Sequence, residues 1–229
     1  MKTYIFVFLW IPIFMLSGCL DVADFEDPNT TFNLTFDLDD GVGEDFIMES
    51  DTLILIGAKF IIDNIELEAV GENEVFAPNN VLVQISGFDF GDGFNVGGGE
   101  IFGGNYTGIS YDLTIADSGT GIIDPELVVR NDQGDIIDRF SFVINGVFNN
   151  EPFLFKSRLN TRMNIGFEEN VVMPENLGTL QATIFGDWRR WFVKDGELLD
   201  PNNPNNRESI EDNFSKFFFA RLFTIGQLN

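Results

Sequence analysis

Thr31-Phe32-Asn33-Leu34-Thr35-Phe36-Asp37-Leu38 alternates apolar and polar residues without a break, so Phe32, Leu34, Phe36 and Leu38 share one face of an extended chain. Asn33, Thr35 and Asp37 fall on the other. Such a period of two is the mark of a half-buried strand. The same kind of signal recurs downstream. Leu53 to Val70 is a long β-branched run, in which Asp63-Asn64 marks a bend or bulge between Lys59-Phe60-Ile61-Ile62 and Ile65-Glu66-Leu67-Glu68. Val81 to Ile85, Tyr106 to Ile115, Leu127 to Val129 and Arg139 to Ile144 follow, separated by turn signals such as Asn79-Asn80, Ser118-Gly119 and Gln133-Gly134-Asp135. The 26 Phe largely follow this alternation and read as core. Scarcely any helical period separates the strands, which argues against parallel βαβ units. The expected fold is all-β, an antiparallel β-sandwich over residues 31–229 as one domain, with one short C-terminal helix.

That helix is expected to open at Arg207-Glu208-Ser209-Ile210-Glu211-Asp212, where acids suit a helix N-terminus. Ile210, Phe214, Phe217, Phe218 and Leu222 then recur at helical spacing, while Phe217, Phe219, Arg221 and Phe223 also alternate. The expectation is a helix to about Phe219 followed by an extended tail. Pro201-Asn202-Asn203-Pro204-Asn205-Asn206 reads as a turn-rich loop.

Composition removes several chemistries. The 229 residues contain no His and one Cys, so Ser-His-Asp and Cys-His catalysis, His-ligated zinc or copper and a histidine pH switch are all excluded. A net charge of −24 argues against nucleic acid as a partner, because a phosphate backbone would be repelled. The charge is uneven: residues 19–100 hold 19 acids and one base, Lys59, whereas residues 101–229 hold 18 acids and 11 bases. Either the acidic part is a solvating surface or its carboxylates cluster for hard cations.

The start of the chain carries an address. Met1-Lys2-Thr3 precedes an apolar run from Tyr4 to Leu16 and then Leu16-Ser17-Gly18-Cys19. The run is too short for the ~20 residues that span a bilayer and has the plan of a signal peptide, residues 1–18. Leu-Ser-Gly-Cys resembles the lipobox of bacterial lipoproteins, which implies lipidation of Cys19 and cleavage before it; an ordinary leader with an incidental cysteine is the alternative. Acyl chains contribute about 0.8 kcal/mol per buried methylene, so two or more of them anchor a protein stably in the membrane. Leu20, where an inner-membrane lipoprotein would carry Asp, implies the outer membrane. Residues 19–30, with Asp21, Asp24, Glu26 and Asp27, read as an acidic tether or as a surface-export signal.

Candidate sites are few. Asp37, Asp39 and Asp40, with Glu44 and Asp45 nearby, could present oxygen ligands to Ca²⁺. So could Asp89, Asp92 and Asn95, and more weakly Asp200-Pro201-Asn202-Asn203. None has the full EF-hand pattern, and Asp and Gly are equally the residues of hairpin tips. Trp188-Arg189-Arg190-Trp191-Phe192 is the densest aromatic and cationic spot. It reads either as a platform for a sugar or anionic ligand, formed by Trp188, Arg189, Arg190 and Trp191, or as core aromatics whose arginines pair with the protein's own acids. No nucleophile or phosphate-loop motif is present, and Gly97-Gly98-Gly99 reads as flexible loop. A pair of carboxylates could still hydrolyse glycans without histidine. No catalytic residue is assigned.

Several stretches resemble a family of uncharacterised bacterial envelope lipoproteins with a β-sandwich domain of unknown function. They are Asp51-Thr52-Leu53 through Ala58 to Leu67, Gly104 to Tyr111, Val143-Ile144-Asn145-Gly146-Val147-Phe148-Asn149-Asn150-Glu151-Pro152-Phe153, and Trp191-Phe192 with Leu199-Asp200-Pro201 and Asn205-Asn206-Arg207. The resemblance implies an envelope lipoprotein and a sandwich, and no activity. The chain is also distantly similar to periplasmic copper-associated sandwich proteins, but its lack of His, a free Cys and more than a few Met argues against copper. The expected function is an outer-membrane or surface-exposed lipoprotein acting as a non-enzymatic binding or structural module. Its membrane contact is the lipid anchor, and glycan or another envelope protein are the partners considered. The alternatives are a carboxylate-based glycan hydrolase and a calcium-binding adhesion-type module.

Overall fold

The computed structural model describes residues 30–38, 43–71, 74–75, 80–86, 93–116, 121–122, 124–173 and 178–225. The lipobox with Cys19, and the candidate ligands Asp39, Asp40, Asp89 and Asp92, lie outside them. Among the described residues the chain is an all-β sandwich with a short C-terminal helix. Its strands are β1 (Thr30–Leu38), β2 (Phe46–Met48), β3 (Asp51–Ala69), β4 (Glu74–Val75), β5 (Val81–Ser86), β6 (Phe94–Ile101), β7 (Gly104–Leu113) and β8 (Val128–Arg130). They continue with β9 (Ile136–Arg139), β10 (Phe142–Phe148), β11 (Glu151–Ser157), β12 (Thr161–Met173) and β13 (Gly178–Gly186). A four-residue helix α1 (Trp188–Trp191), the hairpin β14 (Val193–Lys194) and β15 (Glu197–Leu198), helix α2 (Arg207–Lys216) and β16 (Phe218–Ile225) complete the order. No described helix is long and apolar enough to cross a membrane.

One sheet has the order β16-β13-β1-β6 and the other β11-β10-β3-β7-β12, with β2, β4 and β5 also paired to β3. Phe32, Leu34, Phe36 and Leu38 of β1 are buried between the sheets, as the alternation requires. They meet Phe60 and Leu55 of β3, Tyr111 of β7 and Phe142 of β10 in one continuous core. Each such side chain contributes about 1.5–3 kcal/mol on burial, so a core this rich in Phe needs no disulfide. Helix α2 turns Ile210 and Phe214 into that core, where the Phe214 ring stacks on Phe142 at 4.0 Å. A second cluster of Ile61, Ala116, Leu127, Val128 and Val143 forms apart from the main core, with Phe140 packed against it.

Four features depart from the sequence reading, each for a tertiary reason. The sandwich is not wholly antiparallel: β1 pairs in parallel with β13, Phe32 facing Leu180 and Phe36 facing Ile184. Gly97-Gly98-Gly99 is not a flexible loop but the middle of β6; a Cβ on Gly98 would come within 2.2 Å of Asn33 Oδ1 on the neighbouring strand, so glycine permits the pairing. Arg139 to Ile144 is interrupted, with β9 ending at Arg139 and β10 starting at Phe142. Helix α2 stops at Lys216, and Phe218 onward becomes a strand because β13 offers its edge from Gly186 back to Thr179. Asp63-Asn64 is a bulge as the sequence suggests, with Asn64 at φ 47° and a register shift between Asp63 and Glu66.

Candidate functional site

The Trp188 to Trp191 segment lies inside the molecule. Trp188 and Trp191 are both 0% exposed. Trp191 lies 4.8 Å from the Phe214 ring and 5.5 Å from Phe218, and its indole N–H donates to the Phe217 carbonyl at 3.3 Å. Trp188 meets the edge of Phe46 at 6.0 Å. The approach is so close at Gly186 that a Cβ there would stand 2.5 Å from Trp191 Cζ2. The arginines cover this core from outside: Arg189 lies 5.0 Å over Trp188, and Arg190 lies 3.7 Å over Phe217 with its Nε 3.9 Å from Asp187. Of the two readings of this stretch, burial agrees with core aromatics and corrects the alternative of a platform formed by Trp188, Arg189, Arg190 and Trp191. A ligand cannot stack on rings that the core already encloses.

Of the first two groups of candidate calcium ligands, the structure describes Asp37, Glu44, Asp45 and Asn95. Asp37 is the penultimate residue of β1 and accepts the Leu38 N–H at 2.8 Å; Asn95 lies in β6 and accepts the Gly97 N–H at 2.8 Å. Because Phe36 pairs with Phe94, the end of β1 lies beside the start of β6. Asp200 accepts the Asn202 N–H at 2.8 Å, which is turn chemistry. Among the described residues no group of three or more Asp, Glu or Cys is placed to hold a metal ion.

Two carboxylate pairs among the described residues share a cation. Arg162 on β12 reaches Glu66 at 2.8 Å, Asp112 at 3.2 Å and the Ser110 hydroxyl at 2.6 Å, crossing β7 to the bulged half of β3. Lys59 reaches Asp124 at 2.8 Å and Glu126 at 2.6 Å. Burial is the largest single influence and opposes the charge of both Lys59 and Asp124, but their mutual hydrogen bond and attraction, together with Glu126 for Lys59 and the Glu126 and Leu127 N–H groups for Asp124, outweigh it. The Lys59 ammonium is held above its ordinary value and the Asp124 carboxyl below its own. Asp124 also accepts the backbone N–H groups of Glu126 and Leu127, which pins the turn into β8.

The most open chemistry lies where edge strand β11 meets helix α2. Along β11, Phe153, Phe155 and Ser157 point into the molecule, so Leu154, Lys156 and, one step past the strand, Arg158 point out. Helix α2 adds Arg207 and Glu211, four residues apart on one face, β9 adds Asp138, and the β9–β10 connection adds Phe140. With Leu159 they line an open groove of about 710 Å³. A hollow of about 570 Å³ shares Leu159 and Glu211 and continues past Lys194, Ser209 and Asp212.

Internal bonds hold the groove's cations in place. Arg207 Nη1 donates to the Lys156 carbonyl at 2.5 Å, and the guanidinium lies 5.2 Å over Phe155. Glu211 Oε1 accepts from the Ser157 hydroxyl at 2.6 Å and from Arg207 at 3.4 Å. Arg158 bonds Asp138 through Nε at 3.1 Å and also through Nη2; that hydrogen bond holds the Asp138 carboxyl below its usual range. Lys156 Nζ donates to the Glu126 backbone carbonyl at 3.0 Å and lies 5.1 Å over Phe140. The sequence reading did not find this groove. Its signals are the outward set Leu154-x-Lys156-x-Arg158 and the helical spacing of Arg207 and Glu211, which no local pattern joins.

No protein-family model matches the chain, and no curated protein matches it. Among solved structures, MbnP from Methylosinus trichosporium superposes with a TM-score of 0.40 at 8% sequence identity, over 79% of this chain and 86% of that one.

Proposed function

We propose that this chain is a lipoprotein of the cell envelope, held at the outer membrane through Cys19, whose sandwich is a non-catalytic binding or structural module. Membership of the uncharacterised envelope lipoprotein family belongs to this proposal. One observation carries the non-catalytic reading. The neighbouring carboxylates Glu66 and Asp112, and likewise Asp124 and Glu126, are each joined by one cation, Arg162 or Lys59. A hydrolytic pair instead faces substrate from two sides of a cleft, with one member kept protonated. A polysaccharide turnover assay tests this. Activity abolished by Glu66→Gln or Asp112→Asn would replace the module with a glycan hydrolase. Cys19→Ala should move the protein from the membrane to the soluble fraction, and retention in membranes would refute the anchor. Protease added to intact cells separates a surface-exposed domain, which is cleaved, from a periplasm-facing one, which is not.

Calcium binding is the second reading, favoured by the pairing of Phe36 with Phe94 at the ends of β1 and β6. Calcium should then raise the melting temperature more than sodium does at matched ionic strength, because only a specifically bound ion stabilises beyond screening. Equal shifts would remove the reading.

A further inference from the structure

The groove between β11 and α2 is a local reversal of the molecule's charge. In a chain of net charge −24 it sets three cations, Lys156, Arg158 and Arg207, against two carboxylates, Asp138 and Glu211. The carboxylates do not exhaust the cations. Arg207 uses Nη1 for its described bonds, so Nε and Nη2 keep donors, and its side chain is 51% exposed. Arg158 turns Nε and Nη2 to a single oxygen of Asp138, so Nη1 keeps its donors, and its side chain is 62% exposed. The hydrogen-bond partner of Lys156 is a backbone carbonyl, and the carboxylate its charge acts on, Asp138, is already bonded by Arg158. Guanidinium groups held on one edge and open on the other suit an anion with several acceptor oxygens.

The remaining surface of the groove is apolar. Leu154 is 48% exposed and stands beside Leu159 and the rim of Phe140. A volume of about 710 Å³ falls within the ~300–1,000 Å³ of small-ligand sites. A ligand with a carboxylate on one side and a flat C–H face on the other would satisfy both surfaces. An added peptide strand would not, because Pro152 lies on β11 and Arg207 already occupies the Lys156 carbonyl. An anionic lipid leaflet is also disfavoured. A chain of net charge −24 is repelled by a surface that carries like charge over its whole extent. A short acidic glycan brings a few charges to the groove instead of a charged plane.

We propose that this groove binds an acidic glycan, the ring carboxylate of a uronate-type sugar meeting Arg207, Arg158 and Lys156 while the sugar's C–H face rests on Leu154, Leu159 and the edge of Phe140. This names a ligand for the binding-module reading and rests on it. The test is calorimetric titration of the detergent-solubilised full chain with a short oligogalacturonate, beside a neutral galacto-oligosaccharide of equal length and vesicles of phosphatidylglycerol. The acidic oligomer should bind, weaken with salt, and lose at least about tenfold in affinity in the Arg158→Gln/Arg207→Gln variant, as expected when charge-assisted bonds are removed. Because Arg207 also supports β11, Leu154→Glu serves as an independent variant: it places a carboxylate at an exposed position and should lose as much without lowering the melting temperature. No binding, unchanged binding in both variants, or equal binding of the neutral oligomer would overturn the proposal, and so would groove-dependent binding of the vesicles in place of the oligomer. Reducing ends are measured in the same samples. Cleavage of the oligomer would sink the binding-module reading, whereas absence of binding sinks only the ligand assignment.

Discussion

Two regions of this molecule set arginines against aromatic rings, and they lie on opposite sides of the solvent boundary. At Trp188 to Phe192 the two kinds of residue are adjacent in sequence, yet the rings are enclosed and the arginines lie over them. In the β11–α2 groove, Lys156, Arg158, Arg207 and Phe140 come from three separated segments, and their charged ends are open to solvent. Adjacency in a chain thus says little about which face of a ring is wet. What decides is the element each residue rides on: α1 is a four-residue turn driven into the core, whereas β11 is a sheet edge with one face outside.

The sharpest way to break this contrast is Trp191→Ala. Loss of a fully buried indole should cost about 3–5 kcal/mol and lower the melting temperature by about 10 °C, measured by thermal and urea unfolding. A cost under about 1 kcal/mol would mean that the ring is not core and would reopen the platform reading.

Lys59→Met should cost less, about 1–2 kcal/mol, by breaking charged hydrogen bonds that hold the Asp124–Glu126 turn beside the groove wall. Its pH dependence follows from the two shifted groups. Asp124 is depressed from 3.8, so its contribution is complete above that value and fades as pH falls through the lower folded one. Lys59 is raised from 10.5, so its contribution is complete below that value and fades as pH rises through the higher folded one. The stability difference between the wild-type chain and Lys59→Met should be flat across the neutral range and shrink at both extremes. A difference that grew at low pH would contradict the assigned pair.

Arg190→Ala should cost about 0.5–1 kcal/mol, since it removes a long ion pair and a cation–π contact but no core volume. Leu154→Ser, at the exposed floor of the groove, should stay within about 0.5 kcal/mol in urea unfolding. Together the four variants grade the two regions from enclosed to open. If Leu154→Ser destabilised as much as Trp191→Ala, the groove would be part of the core instead.

Much of the fold was legible because alternation reports burial directly. Phe32, Leu34 and Phe36 are buried for the reason their spacing suggests, and Asp63-Asn64 is a bulge where polar residues interrupt a β-branched run. Less was legible wherever a partner strand decided. Gly97 to Gly99 lacks side chains that would announce a strand, and the glycine at position 98 is explained only by the closeness of Asn33 on β1. The tail after Lys216 satisfies a helical and a strand period at once; the open edge of β13 selects the strand. The candidate site was barely legible, because its cations lie on residues 156, 158 and 207, and charged residues at a sheet edge look locally like any solvated face.

By itself the sequence determined the all-β class, the inward face of each clear strand, the missing imidazole chemistry and the strongly negative charge. Those properties are local or additive, and a short window or a sum contains them. Only the tertiary structure decided that β1 lies parallel to β13, that Trp188 and Trp191 are enclosed, and that three cations of an acidic chain converge beside β11. These are matters of which distant segments meet. Contact between residues some fifty positions apart, such as Arg207 and the Lys156 carbonyl, leaves no periodic trace in either segment.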